Sequence, residues 1–128
     1  MRRLDGRTIK AGRGEGLALV SSEPIGFLGG VDPETGVVIE RGHPLEGRSV
    51  SGCVLVFPTG KGSTVGSFTL YRLSRNQKGP AAIIVRRSEA IVAVGAIISD
   101  IPMVDLVDVS QIRDCDHVVV EDGVVTVG

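Results

Sequence analysis

The chain has 128 residues, 42% of them hydrophobic, with a formal net charge of −1 and a mean hydropathy of +0.25. That length sets the expectation of one domain over residues 1–128, with a real core but little room for a private active site. The near-neutral charge excludes a general pull towards nucleic acid or membrane, and 3% aromatics without Trp leave few platforms for stacked bases.

The two cysteines, Cys53 and Cys115, make neither a disulfide framework nor the paired spacing of a zinc site. Two thiols are also too few for an iron–sulfur cluster of the four-cysteine type, so no metal or cofactor is expected in this chain. The start turns polar at once and no apolar run is long enough to span a bilayer. A cytoplasmic location is the resulting expectation.

In chain order, residues 7–10 and 16–22 read as strands joined by a turn at 11–15, with Leu17-Ala18-Leu19-Val20 carrying the apolar signal. Pro24 ends that pattern. Asp32-Pro33-Glu34-Thr35-Gly36 has the order a type I turn favours, and residues 37–40 read as a short strand after it. Residues 41–48 form a polar loop in which His43 precedes Pro44, a position pushed to extended backbone. His43 is open to three roles: base, ligand contact or hydrogen-bonded structural residue.

Residues 49–57 form a strand containing Cys53, read as a core thiol. It feeds the segment that organises the chain, VLVFPTGKGSTVGS at residues 54–67. Val54-Leu55-Val56-Phe57 is the kind of run that makes a buried strand, and Pro58, without an N–H, stops it. Gly60, Gly62 and Gly66 follow, and apolar residues at 65, 68, 70, 71 and 73 then move towards helical spacing. Strand, glycine loop and helix suit an anion, because the first amides of a helix lack intrahelical partners and its dipole makes that end positive. Ser63 is either the N-cap or a hydroxyl presented beside those amides, and Lys61 adds a positive charge. The bland alternative is a tight turn with a serine cap. The loop is not a Walker A motif, because Lys61 is followed by Gly62 instead of Ser or Thr.

Residues 76–80 (NQKGP) stop the helix. Residues 81–85 are a strongly apolar strand closed by Arg86 and Arg87, which read as solvated. Ser88 is placed to cap a small apolar helix at 89–99, in which Gly95 costs some stability. Residues 103–109 read as a strand whose Asp105 and Asp108 lie on a solvated edge. Residues 118–127 form a hairpin around Asp122-Gly123. Strands dominate and two helices sit in strand–helix–strand units. The fold class is therefore mixed α/β: a β/β/α sandwich or a compact barrel with helices on one side.

Four motifs occur in order: residues 29–36 (GGVDPETG), 43–47 (HPLEG), 60–67 (GKGSTVGS) and 79–84 (GPAAII). Together they resemble the small subunit of aconitase X proteins, the swivelling-domain partner of a larger subunit. The resemblance covers nearly the whole chain. It implies a swivelling β/β/α fold and one half of a two-subunit hydro-lyase. The implied reaction dehydrates (R)-5-phosphomevalonate to trans-anhydromevalonate 5-phosphate in the archaeal mevalonate route to isoprenoids. A 4Fe–4S cluster would be held by the large subunit, with none in this chain. The family's proton-accepting serine maps onto Ser63, with Thr64 standing where many relatives carry a second serine.

Lys61, Gly62, Thr64, Ser67 and His43 are the candidate substrate contacts. The glycine-rich loops at 29–36, 42–47 and 60–67 are the candidate partner contacts. A neutral serine is a poor base, so its ionised form needs stabilisation by loop amides, by Lys61 or by the partner. Two other readings stay open. One is the small subunit of a cis-3-hydroxyproline dehydratase. The other is a non-catalytic module that binds an anion or closes a lid.

Overall fold

The computed structural model describes residues 1–128. Its strands in chain order are β1 (Arg2–Asp5), β2 (Arg7–Lys10), β3 (Arg13–Val20), β4 (Val54–Phe57), β5 (Ala82–Val85), β6 (Met103–Asp105), β7 (His117–Glu121) and β8 (Val124–Val127). Two helices, α1 (Gly66–Arg75) and α2 (Ala90–Ser99), follow β4 and β5 respectively. The strands form one sheet of order β1-β8-β7-β3-β4-β5-β6-β2. Its centre, from β3 to β6, is parallel, and its flanks are antiparallel.

All four side chains of β4 and all four of β5 are buried, as a sheet covered on both faces requires. Alternate residues serve different cores. Leu55, Phe57, Ile83, Val85 and Met103 pack against Leu70 and Leu73 of α1 and Val92 and Ala96 of α2. Val54, Val56, Ala82, Ile84 and Val104 face the other way and meet Val118, Val120, Val125 and Val127 inside the curled sheet. The period-2 pattern thus fills a small barrel on one side and a helix layer on the other. Of the two expected architectures, the barrel with two helices on one side is the one observed.

The barrel closes through a covalent seam. β1 pairs only with β8 and β2 only with β6, yet the two are separated by Gly6 alone. A Cβ on Gly6 would lie 2.5 Å from Val104 Cγ1 and 2.6 Å from the Asp105 carbonyl oxygen, so only glycine lets the chain pass between the sheet's ends.

Several local expectations are corrected. β1 was not foreseen, and β3 begins at Arg13, which shortens the preceding turn. Residues 37–40 are not a strand; Val37 and Val38 make only isolated bridges, to Ser49 and Val31. Ser49 makes only an isolated bridge and residues 51–53 are turn and bend, so the fourth strand is shorter than expected. The long excursion from 21 to 53 instead buries Ile25, Phe27, Val31, Val38, Leu45 and Val50 in the helix-side core. The sixth strand ends at Asp105 and is followed by a 3-10 turn at Val109–Gln111. Asp105 is no solvated edge residue. Its side chain is 1% exposed, takes hydrogen bonds from Arg7 Nε (3.0 Å) and Nη2 (2.6 Å), and accepts from Ser88 Oγ (2.6 Å). Burial pushes this carboxyl up, but the bonds from Arg7 and Ser88 and the arginine charge outweigh it and hold the group below its ordinary value. Ser88 is therefore not the cap of α2. Glu89 is, its carboxylate accepting from the Ile91 and Val92 amides at 2.7 and 2.8 Å.

Candidate active site

The carboxyl ends of β4, β5 and β6 lie side by side, with Phe57 opposite Val85 and Ile84 opposite Val104. Everything that follows those strands therefore gathers at one rim, where open parallel sheets place their ligands. After β4 comes the glycine loop, after β5 comes Arg86-Arg87-Ser88-Glu89, and after β6 comes Leu106-Val107-Asp108.

The glycine loop is anchored at its base. Ile25 N–H donates to the Thr59 carbonyl at 3.2 Å, and Lys61 N–H donates back to the Ile25 carbonyl at 3.0 Å. Gly60 is pressed against the Glu89 carboxylate and Val92, with no room for a Cβ. Beyond this anchor the backbone turns at Gly62, with φ +93°, and residues 61–65 are exposed. The amides of Gly62, Ser63 and Thr64 donate to no acceptor in the chain. Three successive unpaired N–H groups in an exposed loop are a ready place for an anion.

Ser63 does not cap the helix proper. The N-cap is Val65, which has no side-chain bond, and the Ser63 hydroxyl accepts from the Val65 amide at 3.2 Å while its carbonyl accepts from Gly66 at 2.9 Å. Of the two roles open in the sequence, the structure shows the presented hydroxyl, placed one turn ahead of α1. An amide aimed at that oxygen favours its anionic form. Lys61 is not a free charge, because its ammonium sits 2.9 Å from Glu40 Oε2.

Two candidates turn inwards. Ser67 is 6% exposed and donates its hydroxyl to the Ile91 carbonyl at 2.7 Å, tying α1 to α2. His43 is also 6% exposed, with Nε2 3.0 Å from the Pro24 carbonyl and Nδ1 accepting from the Leu45 amide at 3.0 Å. That pair of contacts makes the ring the neutral Nε2–H tautomer and uses both nitrogens within the fold. Each is a buried structural tie within the fold. Lys61, Gly62, Ser63 and Thr64 remain together on the open loop.

Beside this loop, exposed Val65, Phe68, Val94 and Ile98 line an apolar groove of about 390 Å³ between the helices. On the rim itself, Pro58, Arg86, Arg87 and Leu106 line an open depression of about 620 Å³. The nearness of Arg86 and Arg87 to the loop-bearing segment is missed in the sequence reading. Its one signal was that both arginines directly follow the strand adjacent to the loop-bearing strand. No group of three or more His, Cys, Asp or Glu side chains stands placed to hold a metal ion. Cys53 is packed against the helix-side core, whereas Cys115 is exposed. Two such thiols do not fit an iron–sulfur cluster. No helix is long and apolar enough to cross a membrane.

Barrel, helix pair and rim loop together define a swivelling β/β/α domain. The family model of the aconitase X swivel domain matches residues 3–127, and the chain belongs to that family. It is 58% identical over 111 residues to the phosphomevalonate dehydratase small subunit of Thermococcus kodakarensis, covering 87% of this chain and 84% of that protein. It is 55% identical over 118 residues to the protein of the same name from Methanosarcina mazei, covering 90% of this chain and 82% of the relative. The crystal structure of Thermococcus kodakaraensis aconitase X in its holo-form superposes with a TM-score of 0.98 at 52% identity, over 100% of this chain and 99% of that one.

Proposed function

We propose that residues 1–128 act as one swivelling domain, the small subunit of a two-subunit hydro-lyase that dehydrates (R)-5-phosphomevalonate to trans-anhydromevalonate 5-phosphate. Relatives at 55–58% identity carry the name phosphomevalonate dehydratase small subunit, which supports both the reaction and the existence of a larger partner. The proposed partner is a large aconitase X-type subunit carrying a 4Fe–4S cluster, in the cytoplasm. This chain's own thiols do not fit that cluster, so its contribution is made by other groups.

The observation that carries the reading is Ser63 on an exposed loop with unpaired amides around it. Ser63 is assigned the role of proton acceptor. Its oxygen, as the alkoxide, takes the proton from the carbon next to the substrate carboxylate. The C–H electron pair becomes the double bond as the hydroxyl leaves the neighbouring carbon with the C–O electron pair. That hydroxide takes up the proton held by Ser63, so that water departs and the alkoxide is restored. The Val65 amide stabilises the alkoxide, and the amides of Gly62 and Thr64 are free to hold the carboxylate. The apolar groove beside Ser63 suits a rim that a larger chain covers in the complex.

The test is an anaerobic dehydration assay. This chain and its large subunit, cluster intact, are mixed with 5-phosphomevalonate, and loss of one water is followed by mass spectrometry. Turnover is expected only in the mixture. Ser63→Ala is expected to reduce kcat by about 10²–10⁴-fold, the usual contribution of a positioned base. Full turnover by a folded Ser63→Ala complex would remove Ser63 from the chemistry. An inert wild-type complex that turns over cis-3-hydroxyproline instead would change the substrate.

A further inference from the structure

We infer that Arg86 and Arg87 form the phosphate subsite of this rim, gripping the end of the substrate remote from the carbon that Ser63 deprotonates. The inference rests on the proposed reaction, in which the substrate carries an anion at each end. The carboxylate adjoins the carbon that loses its proton, so it belongs beside Ser63 and the loop amides. The phosphate, at the far end of the molecule, calls for a second, cationic locus, and this rim offers one.

The molecule offers few cations for that task. Arg2, Arg3, Arg7, Lys10, Arg13, Arg48 and Lys61 are engaged in ion pairs. Of the unpaired cations, Arg72 and Arg75 lie in the last turn of α1 and Lys78 just beyond it, at the opposite end from the glycine loop, while Arg41 borders neither rim hollow and Arg113 borders only the one on the β3 side. Arg86 and Arg87 are exposed, make no side-chain ion pair, and both line the 620 Å³ depression with Pro58 and Thr59 of the loop-bearing segment. Arg86 also borders the adjoining hollow of about 590 Å³ on the β3 side.

The backbone beneath them is held at every step. Arg86 carbonyl accepts from Leu106 at 3.0 Å, and Arg87 N–H donates to the Pro58 carbonyl at 3.1 Å. Ser88 Oγ donates to buried Asp105 at 2.6 Å, and Glu89 caps α2 while packing against Gly60. A fixed backbone spares the main chain any ordering when the two guanidinium heads grip an anion, so only side-chain freedom is lost. Asp108 shares the depression; its carboxylate is occupied by Ser110 and Gln111 and lies beyond ion-pair distance of either arginine, although the Arg86 charge helps those bonds hold it below its ordinary value. The hydroxyproline alternative has no phosphate and would leave both heads without a task.

The test uses the assembled complex. Arg86→Gln and Arg87→Gln are each expected to raise KM for 5-phosphomevalonate about 30-fold, close to 2 kcal/mol at 1.4 kcal/mol per decade, with kcat within about twofold. Inorganic phosphate is expected to compete with substrate in the wild type and to lose potency in both variants, with partial recovery in Arg86→Lys. Unchanged KM and undiminished phosphate inhibition in folded variants would overturn the subsite. An inert wild-type complex would instead sink the proposed reaction. Phosphate titration of the ¹⁵N-labelled full chain then decides the subsite alone: shifts at Arg86 and Arg87 support it, and their absence refutes it.

Discussion

Replacing Asp105 by Asn tests how the rim is held from below. The substitution keeps shape and volume but removes a charge that receives two bonds from Arg7 and one from Ser88. An amide nitrogen would then face one of those donors. Breaking a fully buried ion pair costs about 3–5 kcal/mol, but the Arg7 side chain is 62% exposed and rehydrates once released. The expected loss is therefore about 2–4 kcal/mol, or a fall in Tm of roughly 10 °C for a chain of this size. The pH dependence has a definite sign. The native carboxyl titrates below its unfolded value of about 3.9, so its contribution is complete above that pH and is lost as pH falls through the native value. Guanidinium unfolding from pH 8 to pH 2 should show a constant wild-type advantage at pH 5–8 that shrinks below about pH 4. Equal midpoints at neutral pH, or an advantage that persists unchanged to pH 2, would refute this account of Asp105.

Two further substitutions probe neighbouring parts of the fold. Gly95→Ala should gain about 1 kcal/mol of helix propensity yet destabilise overall, because the new Cβ would lie 2.8 Å from Leu70 Cδ2 and overpacking costs about 1–3 kcal/mol; calorimetry reading a higher Tm would disprove the close crossing of α1 and α2. His43→Ala should cost about 1–3 kcal/mol by orphaning the Pro24 carbonyl and the Leu45 amide, while the folded complex keeps its KM and kcat; a specific rise in KM would return His43 to the site.

What could be read in the sequence was what depends on neighbours along the chain. The Asp122-Gly123 hairpin, the buried runs at 54–57 and 82–85 and the helix before Asn76 all announce themselves through period and turn chemistry. What could not be read depends on partners far away. β1 carries only Leu4 as an apolar residue, and it is a strand because β8, at the other end of the chain, offers an open edge. Asp105 looked solvated because its burial depends on Arg7, 98 positions distant. His43 lies in a loop and Ser67 in the first turn of α1, each near exposed residues, and only the packing of residues 21–53 and of α2 turns them inward. The exposure of Ser63, by contrast, is legible because a serine in a glycine-rich loop between strand and helix has a local reason to be exposed. The helix-cap role failed because a short turn comes first.

The seam at Gly6 makes the first ten residues a single clasp. β1 shields the outer side of β8 and β2 shields the outer side of β6, so losing this one segment would uncover two ladders of unsatisfied amides and carbonyls together. Exposed ladders of that kind recruit strands from other molecules. Proteolysis within this segment would thus turn a closed barrel into a particle with two adhesive edges, able to grow in both directions. Aggregation, more than any loss of chemistry, would be the first symptom of a damaged amino terminus.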